Sequence, residues 1–282
     1  MTKHLAIATT LFATLLLAPI AHADTQADAK KASELNAIEK KHELIKKADA
    51  FQKEEEKRVN DQKTADAEEK ERKRQEDNKK QPLKVLELAA KYESNNRGPG
   101  AILGELDDGA GMNYGTYSLT QNHTMKPYLK FLEEKYPDIR SQLPDDIGST
   151  AFNEAWKALG DKDGERFKQT QAEFIFNKDI LPAIDKLKKD TGVDLLDGTH
   201  TLGAVGMFAS MIHNAGYGWY GTIKTAAQSL ATTHDDNAFI EATGGHVRDN
   251  YSGRYANGIR NRYRKQTPDE QARTELFWYI RP

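Results

Sequence analysis

The chain of 282 residues contains no cysteine, so its fold is held by its core with no disulfide to reinforce it. No HExxH and no paired Cys/His spacing occurs among His200, His213, His234 and His246, and neither a metal nor another cofactor is expected. The stretch from Gly198 to Gly206 lacks the pattern of a phosphate-binding loop. A net charge of −2 gives no general attraction to nucleic acid or an anionic membrane, and neither is expected as a partner. Past the first residues, no apolar run approaches the roughly 20 residues that a membrane span requires. Glycine and proline are both missing from Ala27 to Lys80.

What is present is unevenly distributed. Lys3 and His4 make a short basic start, Leu5 to Ala21 an apolar run broken by Thr9, Thr10, Thr14 and Pro19, and Ala21-His22-Ala23 a small-x-small cleavage site. That order reads as a signal peptide over residues 1–23, with a mature chain starting at Asp24, exported to the periplasm or beyond and keeping no membrane span after processing.

Residues 24–81 are mainly Lys, Glu, Ala, Asp and Gln, a helix-favouring composition. Glu43/Lys47, Asp49/Lys53, Glu54/Arg58 and Glu68/Arg72 place opposite charges one helical turn apart, each pair contributing a few tenths of a kcal/mol. Ala37/Leu44/Phe51 and Ile38/Ile45 recur at seven-residue steps. The segment is thus a solvated helical spacer or a weak coiled coil with a protein partner.

Gln81-Pro82 is expected to end that regime, because proline is tolerated at a helix start and not inside, and a domain over residues 82–282 follows. Helices are predicted over Leu83–Lys91, Met125–Lys135, Ala151–Leu159, Glu165–Lys178, Leu181–Lys189 and Thr201–Asn214, the last apolar nearly all round and therefore central. Only Ile102 to Thr120 looks strand-like. The fold class is mostly α, with a small β-containing lobe beside a cleft.

The stretch Tyr92 to Leu119, YESNNRGPGAILGELDDGAGMNYGTYSL, carries the chemistry. An apolar helical run delivers Glu93 to its C-terminal edge, and a glycine-rich excursion brings Asp108 back before MNYGTYSL. Glycoside hydrolysis needs two such carboxylates, one to protonate the leaving oxygen and one to activate water. Apolar neighbours and the helix C-terminus both favour a protonated Glu93, whereas Glu105, Asp107 and glycines at 104, 109 and 111 give Asp108 a solvated setting that keeps it ionised. Asp107 or Glu105 is the rival base.

YES-NNRGPG, an Asp and a glycine-rich step into YGTY resemble the lysozyme-like domain of phage cell-wall hydrolases, also fused to some type VI secretion spike proteins and related to the family 46 chitosanases. The likeness continues in AFNEAW at Ala151–Trp156, QAEFI at Gln171–Ile175, LPAIDKLKKDTGVDL and, faintly, YANGIRNRY. It implies a two-lobed lysozyme-like fold and an inverting muramidase acting on β-1,4 links of peptidoglycan or a related amino-sugar polymer. Glu93 would then be the proton donor and Asp108 the base. Asn113 stands where a water-orienting threonine belongs, with Thr116 the nearest hydroxyl. Tyr92, Tyr114 and Tyr117 are candidates for contacting substrate.

Tyr114, Tyr117 and the cluster Tyr217-Gly218-Trp219-Tyr220 suit either sugar stacking or the core. His213-Asn214 closes the apolar helix as a cap. Arg248, Arg254, Arg260, Arg262 and Arg264 are read as surface charge pairing, with peptidoglycan carboxylates as an alternative partner. The rival functions are a chitosanase, a lytic transglycosylase using Glu93 alone, and a non-catalytic glycan-binding scaffold of the envelope.

Overall fold

A computed structural model describes residues 25–93, 97–104, 109–252 and 256–279. The chain divides into two compact units, one ending at Lys70 and the other beginning at Glu71. The signal peptide expected over residues 1–23 and the start at Asp24 lie outside the described residues. Among those described, no helix is long and apolar enough to cross a membrane.

The first unit is helix throughout its described part, belonging to α1 (Thr25–Val85). Side chains one turn apart lace its surface, among them Arg58 to Glu55 at 2.9 Å and Gln62 to Asp66 at 2.8 Å. These exposed contacts contribute tenths of a kcal/mol each and act together with composition.

Proline does not end the helix where the sequence reading placed the break. Pro82 lies inside α1, which continues to Val85; a turn at Leu86 then leads into α2 (Glu87–Glu93), so the helix expected over Leu83–Lys91 is two pieces. An internal proline costs on the order of 3 kcal/mol. Here Gln81, Pro82, Val85 and Leu86 are all buried in the second unit, and that burial offsets the lost hydrogen bond.

α8 (Leu202–Ala215) forms the centre of the second unit, as its all-round apolarity requires, with every residue from Leu202 to Ile212 buried. α2, α10 (Asp236–Ile240) and α12 (Ala256–Gln271) pack on it. α3 (Met125–Lys135) and α4 (Pro137–Arg140) adjoin the pair α5 (Thr150–Lys162) and α6 (Gly164–Ile175). Trp156 on α5 is fully buried among Tyr114, Tyr128, Phe152 and Phe167, at ring-centroid distances of 4.6 to 6.0 Å. α6 passes through a π turn, Phe176–Ile180, into α7 (Leu181–Thr191). Pro182 cannot donate to the preceding turn, and the wider turn upstream absorbs the missing bond. α9 (Tyr220–Thr233) packs on α7, and a second π turn, Glu241–Gly245, joins α10 to α11 (His246–Asn250).

Three two-residue strands, β1 (Ile102–Leu103), β2 (Asn113–Tyr114) and β3 (Leu119–Thr120), form an antiparallel sheet in that order, where strand was expected. A second sheet was not expected. β4 (Asp197–Thr201) pairs antiparallel with β5 (Leu276–Trp278). Asp-Gly-Thr-His-Thr has no apolar alternation and its partner is distant in sequence, so local pattern gives no sign of it.

Candidate functional site

α2 carries the expected acid on its final residue: Glu93 ends the helix, as the apolar run before it implied. The Glu93 carboxylate, Asp108 and its rivals Glu105 and Asp107 lie outside the described residues. What is described is the scaffold on either side of them.

α12 and the segment after it brace α2. Asp269 accepts from Lys91 Nζ at 2.7 Å and from the Tyr92 hydroxyl, so the two residues before Glu93 share one carboxylate. Arg273 donates to the Lys84 carbonyl and to Glu270 at 3.2 Å, and lies 3.6 Å from Glu87. The hydrogen bond to Asp269, then that to Tyr92, pushes Lys91 up to about 12. The bond from Lys91, followed by that from Tyr92, holds Asp269 below the usual carboxylate range. Tyr92, half-buried, is raised by burial and then by the Asp269 bond. Tyr92 is therefore engaged in holding the helix.

After the helix the chain crosses α5 by close backbone approach. A side chain on Gly160 of α5 would meet the Gly100 backbone at 2.4 to 2.5 Å, so glycine is required at position 160. Gln171 of α6, fully buried, then spans the loop: its Nε2 donates to the Pro99 carbonyl at 3.0 Å and its Oε1 accepts from Thr116 N–H at 3.0 Å. Gly115, at φ +74°, lies against that amide with no room for a Cβ. Beyond the segment that contains Asp108, Asn122 Nδ2 donates to the Gly109 carbonyl at 2.9 Å and Gln121 Oε1 accepts from Met112 N–H at 3.1 Å. The sequence reading assigned no role to Asp269, Gln171, Gln121 or Asn122. Only Gln171 stood in a quoted motif, and a lone amide carries no local signal of what it spans.

Asn113 pairs in register with Leu103, just before Gly104 and the segment that contains Asp108. It is 5% exposed, and its Nδ2 has no hydrogen-bond partner among the described residues. Thr116 Oγ1, on a residue 1% exposed, is in the same state. A buried polar atom without a partner costs about 1–3 kcal/mol.

Tyr114 and Tyr117 resolve toward the core. Tyr114 is fully buried, edge-on to Phe152 and Trp156, and its hydroxyl donates to Asn153 Oδ1 at 2.8 Å. Tyr117 is buried as well, and burial raises both hydroxyls. Stacking on a sugar needs an open ring face, which neither has. Tyr217 is exposed, whereas Tyr220 is buried and donates to Asp190 at 3.0 Å.

Asn214 does not cap its helix; it accepts from Arg262 Nη1 at 3.2 Å, and Gly216 takes the cap position of α8. Arg248 pairs with Glu241 and Asp249, Arg262 bonds Ser210 and Gln266, and Arg260 and Arg264 bond asparagines on their own helix. Arg254 lies outside the described residues. Among the described residues no cluster of three His, Cys, Asp or Glu side chains could hold a metal.

Residues 86–248 match the family model described as "Type VI secretion system spike protein VgrG3-like, C-terminal". The match covers more than half of the chain, from the turn before α2 into α11, and includes both Glu93 and Asp108. No curated protein matches the chain.

Proposed function

The chain belongs to the VgrG3-like C-terminal family of type VI secretion system spike proteins, and on that premise we propose that it is a peptidoglycan hydrolase with a lysozyme-like domain over residues 82–282, acting in the periplasm or after secretion. The supporting observation is the bracing of the chain on either side of the two carboxylates. Glu93 ends a helix fixed through Asp269 and Arg273, and the segment containing Asp108 connects two paired strands whose flanks are held by Gln171, Gln121 and Asn122. Catalysis by two carboxylates depends on such fixed placement.

In this reading Glu93 protonates the glycosidic oxygen, and Asp108 takes a proton from the water that attacks the anomeric carbon from the opposite face. The products are inverted at that carbon. The carboxyl groups then stand about 6.5 to 9.5 Å apart, leaving room for the water. Asn113 and Thr116 orient that water, each with a buried polar atom that no described residue engages.

Purified peptidoglycan, with mass analysis of released sugars, tests the proposal. Glu93→Gln and Asp108→Asn should each lower turnover by a factor on the order of 100 to 10,000 while the folded state is kept, and Asp107→Asn should cost much less. Anhydro ends with Asp108→Asn fully active would replace the proposal by a transglycosylase. Turnover of chitosan in place of peptidoglycan would move the substrate, and no turnover of either would leave a glycan-binding scaffold.

A further inference from the structure

Six of the nine large apolar side chains exposed among the described residues lie on α1, all between residues 35 and 59: Leu35, Ile38, Leu44, Ile45, Phe51 and Val59, each 47 to 70% exposed. A helix that stands by charge pairing alone needs none of them. Ile38, Ile45 and Val59 share one heptad position, and Leu44 and Phe51 the position before it, about 100° round the helix, so these five make one broad apolar ridge.

Charge says what covers the ridge. Residues 30–47 contain six lysines against three glutamates, and residues 49–66 contain six acids against four bases. A second helix of the same sequence laid parallel would set like charge on like. Laid antiparallel, it sets basic half on acidic half. Reflection about Ala48 makes the match residue by residue: Lys30 falls opposite Asp66, Glu39 opposite Lys57, Lys40 opposite Glu56, Lys41 opposite Glu55, Glu43 opposite Lys53 and Lys47 opposite Asp49. No like charges fall opposite each other anywhere in that window. Ile45 then meets Phe51, Ala37 meets Val59, and the small Ala48 sits where the backbones are nearest.

We infer that a second copy of this chain packs antiparallel on the α1 ridge with Ala48 on the twofold axis, making the protein a homodimer through its charged helix. The contact is isologous, each patch serving as its own complement, and opposite charges fix the direction as they do in paired coiled coils. The inference is independent of the hydrolase reading, since it uses only residues 30–66.

The absence of cysteine makes the test direct. In the full mature chain, Ala48→Cys alone should cross-link under mild oxidation. Ala37→Cys and Val59→Cys should each stay uncrosslinked alone and link when the two proteins are mixed. In a parallel pair, positions 37 and 59 of the two helices would be about 33 Å apart, and Ala37→Cys alone would link instead. By light scattering the native chain should double in mass with concentration. Lys40→Glu with Lys41→Glu should raise the dimer dissociation constant tenfold or more, and adding Glu55→Lys with Glu56→Lys should restore it. A monomer up to about 100 μM, self-linking of Ala37→Cys, or a dimer unaffected by the double charge reversal would each overturn the inference.

Discussion

The buried amide of Gln171 fastens Thr116 to Pro99, accepting from the Thr116 N–H and donating to the Pro99 carbonyl, each at 3.0 Å. One side chain on α6 thus closes the loop that leaves α2 and returns through β2. Gln171→Ala should lower stability by about 1–3 kcal/mol, since one buried and one part-buried backbone group lose their partner. Turnover should fall with it even well below the melting temperature. Thermal unfolding and a glycan assay at low temperature check this, and unchanged turnover would detach the clamp from the site.

Asp269 holds both residues that precede Glu93. Asp269→Asn keeps the shape and weakens the charge-assisted bonds. It should reduce kcat more than it changes KM, because α2 is repositioned and the substrate cleft is not. Asp269→Glu should recover part of the loss. Equal changes in both constants would assign Asp269 to general stability.

Glu270 is fully buried, and burial pushes its carboxyl up to about 7, against the lowering influence of Arg273 and Gln266. Between its unfolded value of about 4.5 and 7, the folded chain keeps a proton that the unfolded chain has lost, so folding stability falls as pH rises through this window. Glu270→Gln removes that dependence. It should stabilise by roughly 1–3 kcal/mol at pH 8 and make little difference near pH 4.5. Denaturant midpoints at the two pH values are the measurement. A variant less stable at pH 8 would show that the ion pair with Arg273 outweighs the burial.

Tyr114→Phe keeps the ring and deletes the hydroxyl that donates to Asn153. A loss of about 0.5–1.5 kcal/mol with KM unchanged is expected of a core residue. A several-fold rise in KM at unchanged stability would return this tyrosine to the substrate.

Much of the frame was legible where local chemistry decides it. α3 runs from Met125 to Lys135 as expected, because an amphipathic run meets Pro137, and α8 betrayed its central position by having no polar face. The end of α2 at Glu93 was legible for the same reason. Sequence failed where a distant partner decides. Pro82 stays helical because its neighbours are buried, β4 exists only because β5 returns to it, and α12 was unreadable until α2 and α8 were in place beside it. Tyr114 and Tyr117 were ambiguous since core rings and sugar platforms use the same residues.

The contacts that hold α2 and the end of α1 join residues 178 and 189 positions apart, Lys91 to Asp269 and Lys84 to Arg273. Such closure has a high contact order and is slow beside the local pairing within a helix. A chain emerging from a ribosome or a translocation pore cannot set Glu93 in place until Asp269 has followed. If the hydrolase reading holds, the enzyme is inert while it is being made, and arrives at its glycan only as a finished molecule.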